Sequence, residues 1–221
     1  MSSWDILILD KSASMIENKK SLIDGFNDLV LEQQKEKSSN LFTVVMFNHE
    51  VDLFKEDKFE NFRLFKNSDI LPKGTTALYD AIGTVYDIIL QNDTHKNITL
   101  TVITDGMENS SKIYTTKMLN NMKKDIDKKC KINMTFIGTD MSCIDSENIT
   151  SHASQSVNCR GDLNKALKIA SRTMSSQREE TDYVPEGIVI SNPVTPLVMK
   201  RSRSSNSFPP KIKRCRSICD L

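Results

Sequence analysis

The sequence predicts an α/β fold: a doubly wound, mostly parallel, Rossmann-like sheet with one antiparallel edge strand, helices on both faces and a disordered C-terminal tail. Three observations carry this expectation. Short apolar, β-branched runs alternate with segments of amphipathic helical periodicity, the pattern of a parallel sheet covered by helices. Two of those runs, over residues 6–9 and 97–104, lead directly into an aspartate, Asp10 and Asp105. The alternation then stops near Gln177, where prolines, serines and basic residues take over. The expected organisation is one domain over residues 1–177 and a Pro/Ser-rich, basic, largely disordered tail over residues 178–221.

Each element follows from local pattern. WDILILDKSASM, residues 4–15, opens with a strand-length apolar run that reads as a buried parallel strand. A helix is predicted over 17–37, with Ile23, Phe26, Leu29 and Val30 on one face, broken by Ser38, Ser39 and Asn40. Residues 41–47 form a second strand, and Asn48, His49 and Glu50 a tight turn into a strand over 51–54, a hairpin at the sheet edge. Residues 55–70 mix charge with Phe59, Phe62, Leu64 and Phe65; they fit no regular element and are expected to cover the sheet edge. LPKGTTALYD, 71–80, is a loop that passes Thr75 and Thr76 into a helix reaching about Leu90.

Residues 97–104 make the second strong strand, and Gly106 after Asp105 permits a turn with positive φ. A helix over 115–129 places Tyr114, Met118, Met122 and Ile126 at helical spacing, with the methionines read as core. A strand over 132–138, a short helix or turn over 145–151, a strand over 155–159 and a helix over 162–176 capped by Asp162 complete the domain.

Composition narrows the function classes. Thirty basic and 29 acidic residues leave a formal net charge of +1, so attraction to nucleic acid or membrane must be local. No run approaches the roughly 18 apolar residues of a membrane span, and no signal-like segment precedes the first strand. A cytoplasmic protein is expected. The five cysteines form no C-x-x-C pair, which argues for free thiols over a disulfide framework or a zinc site. The three histidines are isolated from one another and read as ordinary polar residues.

Right-handed crossovers bring the carboxyl ends of parallel strands to one edge, where open α/β sheets keep their ligands. Three polar clusters then share that edge: Asp10 with Ser12 and Ser14, Thr75 with Thr76, and Asp105. Carboxylates and hydroxyls together offer oxygen-only ligands, suited to a small hard cation such as Mg²⁺. Read blandly, Asp10 and the serines cap the following helix instead.

Taken together, D-x-S-x-S after a strand, the G-T-T-A-L-Y-D-A segment and a strand ending T-D-G resemble the von Willebrand factor A domain and its metal-ion-dependent adhesion site, over residues 2 to about 177. The I-T-D-G-M-E-N segment is most similar to the small, intracellular, stand-alone members. The resemblance implies Asp10, Ser12, Ser14, Thr76 and Asp105 as the residues around Mg²⁺ or Mn²⁺, with Asp105 acting through water. It also implies a protein partner that presents an Asp or Glu to the metal, and a scaffold or adaptor role. Thr75 stands where the family has a second glycine, and Ala13 where it has glycine between the serines; the latter threatens affinity if that loop needs positive φ.

An enzyme is not expected. A metal-dependent phosphotransferase of the haloacid dehalogenase type wants a second aspartate where Ser12 stands, and no nucleophile elbow or phosphate-cradling loop is present. Asp80 and Glu108 could act as bases but are read as backbone caps. An inert domain without metal is the other alternative. In the tail, Lys200, Arg201, Arg203, Lys211, Lys213, Arg214 and Arg216 cluster without an intervening acid. That cluster reads as a solvated tail, or as a nuclear-import or nucleic-acid contact if the host is eukaryotic.

Overall fold

A computed structural model describes residues 3–36, 40–95, 97–138, 152–159, 162–179 and 213–214. The strands are β1 (Ser3–Asp10), β2 (Leu41–Phe47), β3 (Val51–Lys58), β4 (Asn97–Thr104), β5 (Lys131–Gly138), β6 (Gln155–Asn158) and a two-residue β7 (Lys213–Arg214). The helices are α1 (Lys19–Lys35), α2 (Leu78–Gln91), α3 (Thr116–Lys129) and α4 (Leu163–Glu179). The sheet order is β6-β5-β4-β1-β2-β3-β7, with β3 antiparallel to β2 and every other pairing parallel. The expected fold class is therefore the observed one.

β1 lies centrally and is buried from Trp4 to Asp10, which explains its unbroken apolar run: helices cover both faces. Leu7 and Leu9 point into a core shared with α1 and α4, whereas Trp4, Ile6 and Ile8 point into one shared with α2 and α3. From β1 the chain passes to β2 on one side and later returns to β4 on the other. This reversal puts a topological switch point at the carboxyl ends of β1 and β4, where such sheets form a crevice. Asp10 and Asp105 stand at those two ends.

Several elements differ from expectation. β3 continues to Lys58, because beyond Asp52 and Leu53, which pair with β7, it is an antiparallel outer strand whose solvated side tolerates charged residues that break an apolar run. Phe59, Phe62 and Phe65 do not cover the sheet edge; they are buried in the α1/α4 core, stacked around Phe26 and Phe42. A short 3-10 turn, Phe59–Asn61, starts that crossing segment. Side chains of α1 then hold it: Gln34 donates to the carbonyls of Phe59 and Phe62, and Asn27 exchanges two hydrogen bonds with the backbone of Phe65. In α3 the buried face carries Leu119 and Ile126, while Met118 is exposed, so its methionine is not core.

Helix α4 runs through Glu179, two residues past the expected domain limit. Asp162 caps it as expected, accepting the Lys165 N–H at 3.0 Å. The short helix expected over 145–151 lies outside the described residues, as does the tail apart from Lys213 and Arg214. Cys159 is a free thiol. Among the described residues, no helix is long and apolar enough to cross a membrane.

His152 is a core histidine. It stacks on Tyr86, places Nδ1 3.3 Å from the Tyr86 hydroxyl and shares a hydrogen bond with Asn120 through Nε2. Burial pushes its pKa down to about 4, aided by the Lys123 charge. The unfolded chain then binds a proton that the native state refuses, so this group's contribution to stability is present above the ordinary histidine pKa of about 6.5 and lost as pH falls through 4. Thermal melts between pH 4 and 7 should show that loss. His152→Gln should remove its part of the slope.

Candidate metal centre

Asp10 closes β1 with its carboxylate buried. One oxygen accepts the Ser12 backbone N–H at 2.7 Å, and the other accepts the Thr104 hydroxyl at 2.6 Å, tying the ends of β1 and β4 together. Ser12 has extended backbone and leads into a 3-10 turn, Ala13–Ile16. Its hydroxyl lies 3.0 Å from that of Ser14. The Ser14 hydroxyl donates to Asp105 at 2.6 Å across 91 residues of sequence, and the Asn18 amide donates to the second Asp105 oxygen at 3.3 Å.

The loop over 71–77 is laced to both neighbours. Lys73 N–H reaches the Lys11 carbonyl and Ala13 N–H the Gly74 carbonyl, each at 3.0 Å. Thr76 donates its N–H to the Asn109 side chain at 2.9 Å and accepts the Asn109 N–H at 3.0 Å. Gly74 supplies the sharp turn with φ of 74°, and a Cβ there would strike the His49 ring. Thr76 is buried and Thr75 exposed, so of the two threonines it is Thr76 that faces inward.

Gly106 is needed for closeness, not for the positive φ expected of it. A Cβ at this residue would sit 3.0 Å from the Thr76 hydroxyl and 3.6 Å from that of Ser14. Both hydroxyls therefore converge on one glycine beside Asp105. Ala13 lies in the right-handed 3-10 turn, exposed to solvent, so its methyl needs no glycine conformation. All five sequence-predicted residues are gathered at one crevice, with Asp10, Ser12 and Thr76 buried and Ser14 at the exposed mouth.

The electrostatics leave negative charge uncompensated. Burial pushes the Asp10 carboxyl up to about 6 against the pull of its hydrogen bonds from Thr104 and Ser12, and Asp105 nearby raises it further. Lys11, the adjacent base, instead pairs with Asp52 at 2.5 Å. Among the described residues no basic side chain forms an ion pair with Asp10 or Asp105. Nor does any group of three or more His, Cys, Asp or Glu side chains form a metal cluster there. Two carboxylates and three hydroxyls fit a hard divalent cation held with modest charge, and they do not fit zinc.

Asp80 and Glu108 act on backbone, as expected. Asp80 accepts the N–H groups of Lys112, Ile113 and Tyr114, each at 2.9 Å. Glu108 accepts the N–H groups of Tyr79, Ser110 and Ser111 and the Ser111 hydroxyl. Pattern reading missed Thr104, Asn18 and Asn109. Only Thr104 carried a signal, its position directly before Asp105.

No family model matches the sequence, and no curated protein is similar to it in sequence. Solved structures do resemble the fold. A von Willebrand factor type A protein from Catenulispora acidiphila superposes with a TM-score of 0.52 at 15% identity, over 78% of this chain and 43% of that one. Proximal thread matrix protein 1 from the mussel byssus gives 0.52 at 18%, over 77% and 47%. The von Willebrand factor domain of the pilus tip protein Mfa5 from Porphyromonas gingivalis gives 0.55 at 10%, over 79% and 95%. The chain thus spans under half the length of the first two and nearly all of the third.

Proposed function

Proceeding from a chain with the von Willebrand factor A fold, we propose that it is a divalent-cation-dependent protein-binding module that captures an acidic side chain of a partner, as an intracellular scaffold or adaptor. The observation that supports this most is the union of Ser14, Thr76 and Asp105 at Gly106, residues brought together from three separate loops. Asp10 holds Ser12 and Thr104 in place from below. Ser12, Ser14 and Thr76 offer neutral hydroxyl oxygens, while Asp10 and Asp105 supply the charge that retains a cation. Bound there, Mg²⁺ or Mn²⁺ supplies a positive centre to which an incoming Asp or Glu carboxylate is attracted. Because three of the five ligand residues are neutral, the two carboxylates balance the dication without exceeding it, and an incoming carboxylate meets a cation in a site with no net negative charge. Asp80 and Glu108 have their oxygens occupied by N–H groups and act on backbone, so neither is placed as a general base.

Metal titration followed by melting tests the reading. At a free metal concentration of 100 Kd, binding to the folded state alone stabilises by about 2.7 kcal/mol. For a domain of this size that raises Tm by roughly 5–10 °C. Asp10→Ala should abolish the gain, and partner capture from cell extract should disappear with chelator. A wild-type Tm indifferent to Mg²⁺ and Mn²⁺ would leave an inert domain in place of this proposal.

A further inference from the structure

The D-x-S-x-S loop and the 71–77 loop lie side by side. Lys73 N–H donates to the Lys11 carbonyl and the Gly74 carbonyl accepts the Ala13 N–H, each at 3.0 Å, so residues 73 and 74 run alongside Ser12. The same loop is fastened to the turn between β2 and β3: the Asn48 carbonyl accepts the Ala77 N–H at 2.7 Å, and the His49 ring lies against Gly74. The backbone that carries Lys73 is therefore held beside the crevice before any partner arrives. That spares part of the ordering cost of a contact made there.

Charge around the crevice is uneven. Lys11 is neutralised by Asp52, whereas Lys73 is exposed and forms no ion pair among the described residues. Glu50, in the neighbouring turn, is engaged elsewhere. Asp105 follows β4, which lies on the other side of β1 from β2. Once a first carboxylate sits at the cation, a second acid is repelled on the Asp105 side and attracted on the Lys73 side.

We propose that the crevice selects a pair of acids in the pattern acid-x-acid, the first carboxylate at the cation and the second at the Lys73 ammonium. In an extended peptide, residues i and i+2 project to the same side about 7 Å apart. A lysine whose backbone is fixed beside Ser12 covers that separation with its flexible stem. The proposal rests on the metal-dependent reading above. It narrows the partner from any surface acid to an acidic stretch.

The test uses the full chain with Mg²⁺, titrations followed by amide NMR at low salt, and three blocked peptides: Gly-Asp-Gly-Asp-Gly, Gly-Asp-Gly-Asn-Gly and Gly-Asn-Gly-Asp-Gly. The ratio of affinities is read within each protein, so a general loss of binding cancels. Two equivalent acids alone favour the paired peptide about two-fold, and the Lys73 contact should raise that to about five-fold or more. Lys73→Gln should return the ratio to the statistical value, Lys73→Arg should keep it high, and added salt should lower it in wild type. A wild-type ratio at the statistical value, or a raised ratio that survives in Lys73→Gln, overturns the second-acid site; single-acid peptides that still bind then leave capture by the cation intact. Binding that persists in chelator overturns the cation as the first anchor. If no peptide binds while Mg²⁺ still raises Tm, acid capture fails and this inference with it; a Tm indifferent to Mg²⁺ defeats the metal reading itself.

Discussion

Asp80→Ala is expected to lower stability by about 3–5 kcal/mol, since it leaves three backbone N–H groups without an acceptor at about 1–3 kcal/mol each. Asp80 is only 6% exposed and sits in the first turn of α2, where a carboxylate also favours the helix dipole. Its two oxygens accept three consecutive N–H groups, from Lys112, Ile113 and Tyr114, and alanine leaves all three without that partner. The loop it secures begins at Asp105 and includes Asn109, which holds Thr76. Loss of the clamp should therefore weaken the metal-linked rise in Tm as well as the fold. Asp80→Asn should fall between, since one amide edge presents N–H to N–H. Urea unfolding with and without Mg²⁺ measures both effects, and a variant within 1 kcal/mol of wild type would show that Glu108 alone secures the loop.

What the sequence made legible divides along physical lines. β1 and β4 were readable because strands buried on both faces are apolar throughout, and their terminal aspartates stand out against such runs. The helices announced themselves by period. Strand-end placement of Asp10 and Asp105 then followed from crossover handedness, without any knowledge of side-chain contacts. The choice between Thr75 and Thr76 was different: only the family resemblance favoured Thr76, and burial in the folded loop agrees with it. Asn18 and Asn109 were not legible, because a polar residue that matters through one distant partner leaves no local pattern, and Thr104 showed only as the residue before Asp105. Nor were Phe59, Phe62 and Phe65, whose neighbours are charged and whose spacing matches neither 2 nor 3.6.

Those phenylalanines give the second large effect: Phe42→Ala is expected to cost about 3–5 kcal/mol, the usual range for emptying an aromatic site in a core. Phe42 is fully buried on β2, with ring centroids 4.2 Å from Phe59 and 4.7 Å from Phe62. Both neighbours belong to the segment that crosses beneath α1 toward the Thr76 loop. The ring that alanine removes is thus a support for that crossing as well as core volume. Its effect on the crevice should nevertheless be small. The 71–77 loop has its own backbone anchors at Lys11, Ala13 and Asn48, none of them a phenylalanine of the cluster. Calorimetry should show a large fall in Tm with the Mg²⁺ increment preserved, in contrast to Asp80→Ala, where both fall. If the increment vanishes with Phe42 too, the crossing segment sets the position of Thr76 and the backbone anchors do not suffice.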